Sequence, residues 1–242
     1  MPRPPAPQVT PVRSGGPSMA LIGGVVVLIV ALIAALVWAA ARGSDLDAAG
    51  SSNALENGGG ISVGPGRDAD VPQIQVYEDF QCPWCGVLEG SIGEGLTERI
   101  AAGEINVTYQ IMSFLDGSLR NDSSTRATNA ALCADDAGAF LPFHAAVYAG
   151  QPQEEGVGFT DEQLLGWGED SGITGDALET FASCTENLEH ADYVEAMQQR
   201  ANEDGVTGTP TVVINGETIS NEEMQALMGD PSALDGVIEA HS

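Results

Sequence analysis

The chain has no lysine. Its eight basic residues are all arginine, at positions 3, 13, 42, 67, 99, 120, 126 and 200, and it holds only three histidines, four cysteines and 5% aromatic residues in 242. Three of the arginines precede residue 44, while the first of the 35 acidic residues is Asp45, so the part after residue 44 carries a formal charge of −30. Nucleic acid and anionic lipid headgroups repel such a surface, which excludes both as peripheral partners. The plain reading of the excess is a well-solvated surface, with selection of cationic partners as the alternative. No internal repeat is present. With 43% hydrophobic residues the chain can build one medium domain plus accessory segments, or two small domains.

What the chain does have is one long apolar run. Met19 to Ala41 holds 23 residues without a charge, about 34 Å as a helix and long enough to cross a bilayer. A secretory signal has a shorter apolar stretch, so the run reads as an uncleaved anchor, with cleavage near Ala39 to Ala41 as the alternative. Arg3 and Arg13 precede it, and Asp45 and Asp47 follow soon after Arg42. That bias implies a single-pass plasma-membrane protein with a cytoplasmic N-terminus and an extracytoplasmic C-terminal domain, where disulfides persist. Residues 1–18, rich in proline, read as a disordered tail. Residues 42–70, rich in Gly, Ser, Ala, Asn and Asp, read as a flexible linker, and 71–242 as the folded domain.

In that domain Gln73 to Tyr77 alternates as a strand does and runs into Glu78-Asp79-Phe80-Gln81-Cys82-Pro83-Trp84-Cys85. Pro83 suits the first position of a helix, which continues to about Ala102 through Val87, Leu88, Ile92, Leu96 and Ile100. Glu104 to Met112 alternates again, with Ile105, Val107, Tyr109 and Ile111 on one face, giving a β-α-β unit. Residues 119–204 show helical stretches at 127–137, 140–149, 161–167 and 192–201, an insert of three to five helices. Asn215-Gly216 is a hairpin signal, and Ser220 with Glu223 forms a capping-box pattern that opens a closing helix.

Two cysteines two residues apart fit a zinc half-site, a local crosslink or a redox pair. Zinc needs a second ligand pair, but Cys133 and Cys184 stand alone and no histidine has ligand spacing, so neither a metal nor a cofactor is expected. Cys82 at a helix N-terminus meets free N–H groups and the positive end of the helix dipole, which favour a thiolate. Cys85, one turn inward, becomes the resolving thiol. His144, among Leu141, Phe143, Val147 and Tyr148, reads as a packing residue rather than a catalyst.

Strand, Cys82-Pro83-Trp84-Cys85, helix, strand, helical insert and then Gly208-Thr209-Pro210-Thr211 before a hairpin resemble the DsbA-like branch of the thioredoxin superfamily over about residues 72–240. The resemblance implies an α/β thioredoxin fold with an inserted helical subdomain, preceded here by the single transmembrane helix. It implies thiol-disulfide exchange through Cys82 and Cys85, with Pro83, Trp84, Thr209 and a cis Pro210 meeting the substrate. It further implies a second, structural disulfide between Cys133 and Cys184, two buried free thiols being the alternative. Exported cysteine-containing proteins are the implied substrates, and a membrane quinone-linked reoxidase the implied partner. The chain departs from the pattern at Trp84, where the best-known members have histidine, and at Val76, where many have an acid; Glu78 is the substitute, unless it lies exposed at the strand end. Oxidation is the favoured direction. Reduction or isomerisation by the same site, or peptide binding without catalysis, are the alternatives.

Overall fold

The computed structural model describes residues 52–242. The expected tail, the apolar run 19–41 and the first part of the linker lie outside these residues. Among the described residues no helix is long and apolar enough to cross a membrane.

A five-stranded sheet forms the centre, with spatial order β1-β3-β2-β4-β5. The strands are β1 (Ile61–Val63), β2 (Gln73–Glu78), β3 (Asn106–Ile111), β4 (Thr211–Ile214) and β5 (Glu217–Thr218). β2 is paired on both sides, parallel with β3 from Gln73↔Asn106 to Glu78↔Ile111 and antiparallel with β4. Helix α1 (Pro83–Ala102) connects β2 to β3. It buries Cys85, Leu88, Ile92, Leu96 and Ile100, a face with the helical spacing of three and four residues. Val87 falls off that face and is 44% exposed, contrary to its expected place among the core positions.

The linker expectation needs correction over 52–70. Ala54 bridges Ile61, and β1 pairs antiparallel with β3 through Ile61↔Tyr109. Between them a 3-10 turn, Glu56–Gly58, lies against the helix Ala191–Glu203. Gly58 has φ +68°, and a Cβ there would run into the Ala196 backbone. The glycines that read as flexibility therefore serve close backbone packing. This hairpin and the 191–203 helix also explain why all six residues of β3 are buried, including Asn106, Thr108 and Gln110. Gln110 donates through Nε2 to Gly58 O (2.7 Å) and Met197 O (3.2 Å).

The insert between β3 and β4 comprises α2 (Phe114–Leu119), α3 (Ser123–Asp136), α4 (Phe140–Ala149), α5 (Asp161–Asp170), α6 (Asp176–Asn187) and α7 (Ala191–Glu203). It exceeds the expected three to five helices by the short α2. Cys133 on α3 and Cys184 on α6 form a disulfide across it. The C-terminal hairpin turns at Asn215 and Gly216, both at positive φ, as a tight hairpin turn requires. α8 (Asn221–Gly229) starts in a reciprocal capping box, Ser220 Oγ accepting from Glu223 N–H and the Glu223 carboxylate accepting from Ser220 N–H. A further helix, α9 (Ala233–Ala240), follows the expected closing one.

The disulfide closes a loop of 51 residues, for which chain entropy gives about 4 kcal/mol. A Cys133→Ala/Cys184→Ala variant is expected to lose stability on that scale, read as a lower midpoint in urea unfolding, while its Cys82–Cys85 pair still cycles.

Candidate active site

β2 delivers the chain to the end of the sheet, and Cys82 becomes the N-cap of α1, with Pro83 at the first turn. The Cys82 N–H donates to Asp79 O (2.8 Å), and the Cys82 carbonyl accepts from Cys85 N–H (3.1 Å) and Gly86 N–H (3.3 Å). The two cysteines are unbonded thiols, Cys82 6% and Cys85 1% exposed. Pro83 and Trp84 lie at the surface, Trp84 being 63% exposed beside the nucleophile.

The loop before β4 closes the site from far along the chain. The Thr209–Pro210 bond is cis, and the Cys82 thiol donates to Thr209 O at 3.4 Å. The Thr209 hydroxyl is buried without another partner and is available to a thiolate. Hydrogen bonding from the Cys85 thiol, against the opposing cost of burial, and further donors at Thr209 and at the Cys85 and Trp84 N–H groups bring the Cys82 pKa down to about 6. Burial does the reverse to Cys85. Its thiol is pushed well above the ordinary value, and the neighbouring Cys82 sulfur and the Glu78 carboxylate push it the same way. One sulfur is thus a thiolate at neutral pH and the other a thiol.

Glu78 is 3% exposed, so the alternative of an exposed strand-end residue falls away. It faces inward, with Oε1 2.5 Å from His144 Nε2. Burial raises its pKa, against the opposing pull of the His144 charge and hydrogen bond. Asp79 is fully buried and is pushed up to about 7 by burial. It accepts from Ser124 Oγ (2.6 Å), Gln81 N–H (2.9 Å) and Leu115 N–H (3.2 Å). Gln81 Nε2 reaches Asp116, Asn121 and Ser124. From the loop after α4, Gln151 donates to Phe80 O (2.7 Å) and Cys82 O (3.0 Å). Sequence reasoning found the cysteines and the Thr209–Pro210 loop but missed Gln151 and Asp79. The signal for Asp79 was an acid locked in an otherwise core-bound strand end; Gln151 left no local signal.

Cys133, Cys184 and His190 form the one grouping of potential metal ligands among the described residues. Both its sulfurs are committed to the disulfide and cannot act as thiolate ligands.

Fold and site together define a thioredoxin-type dithiol protein with a helical insert. The family model described as thioredoxin matches residues 57–235. The chain belongs to the thioredoxin family. Among solved structures it is similar to MdbA from Corynebacterium diphtheriae, described as a thiol-disulfide oxidoreductase, at 22% identity and a TM-score of 0.61, over 76% of this chain and 94% of that one. It is also similar to DsbA from Mycobacterium tuberculosis, at 24% identity and a TM-score of 0.53, over 79% and 96%. A third, the disulfide bond oxidoreductase DsbG from the same organism, has 22% identity and a TM-score of 0.53, over 83% and 98%. At these identities the likeness speaks to the fold. None of the curated proteins matches the chain significantly.

Ultraviolet titration of the reduced protein at the thiolate band is expected to show a transition near pH 6, from Cys82. It should vanish in Cys82→Ser, and no second thiolate should appear until well into the alkaline range.

Proposed function

We propose that the protein is a membrane-tethered, extracytoplasmic thiol-disulfide oxidoreductase that oxidises cysteine pairs in exported proteins. The observation that carries this reading is the asymmetry of the pair: hydrogen bonds from the Cys85 thiol, the Thr209 side chain and the N–H groups at the start of α1 favour the thiolate at Cys82, while deeper burial keeps Cys85 a thiol. A substrate thiolate attacks Cys82 Sγ in the oxidised enzyme, the Cys82–Cys85 bond breaks, and Cys85 takes the electron pair and a proton. The second substrate thiol then attacks its own mixed-disulfide sulfur, forming the substrate disulfide and releasing Cys82 as a good leaving group. Stabilising the reduced enzyme in this way makes its disulfide the more oxidising partner.

Trp84, exposed beside Cys82, and the edge at Thr209 and Pro210 supply the surface for an extended substrate segment. The apolar run 19–41 supports tethering and the extracytoplasmic setting, and a quinone-linked membrane protein is the reoxidant that such a setting offers. Reduction or isomerisation uses the same parts in the opposite direction.

Oxidation of a dithiol peptide tests the reading. Oxidised wild type should form the peptide disulfide with loss of the Cys82–Cys85 bond, Cys82→Ser should be inactive, and Cys85→Ala mixed with the disulfide form of the peptide should accumulate a peptide adduct on Cys82, the displaced peptide sulfur leaving as a thiol. Full activity in Cys82→Ser contradicts the proposal.

A pH series tests the energetics. Because the folded Cys82 pKa lies below its unfolded value, its contribution to the reduced protein is complete above the unfolded thiol pKa and is lost as pH falls through about 6. The stability of the reduced over the oxidised protein, measured by denaturant unfolding, should therefore grow between about pH 6 and 9.

A further inference from the structure

The loop after α4 reaches the cysteines through a single side chain. α4 ends at Ala149, and at Gly150 a Cβ would run into the Trp167 ring of α5, so a glycine lets the chain pass close to the indole. Trp167 is itself met edge-on by Phe159, with ring centroids 5.7 Å apart. Farther along, Asn121 Nδ2 donates to Gly156 O (3.3 Å) and the Phe159 N–H donates to Ser123 Oγ (3.3 Å), which ties the rest of the loop to the entry of α3. Gln151 thus leaves a fixed corner, and its side chain reaches the turn that carries Cys82.

Gln151 Nε2 lies 2.7 Å from Phe80 O and 3.0 Å from Cys82 O. Both partners are acceptors, so the amide nitrogen faces them, and its two hydrogens match two carbonyls. Among the described residues Phe80 O has no other donor. Cys82 O also belongs to the first turn of α1, where it accepts from the Cys85 N–H (3.1 Å) and the Gly86 N–H (3.3 Å). A carbonyl oxygen has two lone pairs. With Gln151 and the Gly86 N–H on them, the Cys85 N–H is the surplus donor and can turn to the Cys82 sulfur.

Gly86 bears on the same contact from the helix. It sits in the first turn of α1, where glycine is unfavourable relative to alanine, and a Cβ there would occupy the place of the Gln151 Oε1. The missing side chain leaves the amide its room against the helix start. Charge reaches this corner from Asp79, which is tied to Ser124, Gln81 and Leu115, and from Glu154 and Glu155, which line a crevice with Gln81 and Gln151. Gln151 is neutral, so exchanging it for another neutral residue leaves those charges as they are.

We propose that Gln151 is a positioning residue for the exchange reaction: by holding the Phe80 and Cys82 carbonyls it fixes the turn into α1 so that the Trp84 and Cys85 N–H groups bear on the Cys82 sulfur. The inference rests on the thiol-disulfide exchange proposed above. The Cys85 thiol is the leading donor to that sulfur, against the cost of burial, and Thr209 and the two N–H groups add to it. An N–H aimed at the sulfur stabilises Cys82 as a thiolate, and hence as a leaving group. Gln151 bonds the main chain of Cys82 and not its sulfur, so its influence runs through the geometry of the turn.

Two substitutions break the contact from opposite sides. Gln151→Met keeps the length of the side chain and removes both donors, whereas Gly86→Ala keeps Gln151 and pushes its amide off the carbonyls. In the reduced full-length protein, ultraviolet titration of the thiolate band should move up from its place near pH 6 by about one unit in both variants. At about pH 8 the equilibrium with glutathione should shift about tenfold toward the oxidised protein, or about 30 mV. A brace for the loop alone would lower the urea midpoint and leave the titration of the folded protein where it is. Should Gln151→Met fail to fold, Gly86→Ala decides, because alanine favours the helix. A titration and a glutathione equilibrium that superimpose on wild type in Gln151→Met, or in Gly86→Ala where that variant alone folds, overturn the proposal. A wild type that oxidises no dithiol peptide overturns the exchange reading instead, whatever the variants do to the titration.

Discussion

The positive end of α1 acts on one sulfur of the pair and not on the other. Cys82 is the N-cap residue, where unpaired N–H groups and the helix dipole favour negative charge, while Cys85 lies one turn inside and 1% exposed. The two thiols have the same chemistry but opposite environments. That difference decides which sulfur attacks, which one leaves and which one needs a proton partner. The setting is otherwise hostile to a thiolate, since the domain is strongly acidic. The stabilisation therefore depends on donors aimed at one atom within a short distance, where hydrogen bonds outweigh diffuse repulsion.

Much of the fold serves to hold that atom in place. β2, paired on both sides, fixes where the strand ends, and Asp79 then ties the turn to α2 and α3 through Leu115 and Ser124. Gln151 grips the carbonyls of Phe80 and Cys82 from the loop after α4. Thr209 comes from the loop that enters β4 on the other side of β2, so the sheet and the helical insert approach the cysteine from different directions. The Cys133–Cys184 bond braces α3 against α6, and α3 is the helix whose start receives Gln81 and Asp79.

What was legible in the sequence was local. Pro83 after Cys82, the Asn215-Gly216 turn and the Ser220/Glu223 box each state their structure within a few residues, because a fixed φ, a positive φ or a reciprocal cap needs no distant partner. The motif pair Cys82-Pro83-Trp84-Cys85 and Thr209-Pro210 was legible through family resemblance. Gln151, and His144 as the partner of Glu78, were not. Each is polar by composition and takes its role from groups more than 60 residues away, as in the Glu78–His144 contact across 66 positions. The segment before β2 misled for a related reason: Gly58 and Gly60 were read as freedom, whereas they admit the backbones of α7 and β3 at close range.

The most direct test is the equilibrium potential of the Cys82–Cys85 pair against glutathione. A thiolate stabilised as described favours the reduced form, and the account predicts a potential nearer about −120 mV, that of a strong oxidant, than about −270 mV. Trp84 in place of histidine makes the result informative, because here the Cys85 thiol, with the Thr209 side chain and the N–H groups at the helix start, must supply the stabilisation. A potential at or below about −270 mV would contradict the account.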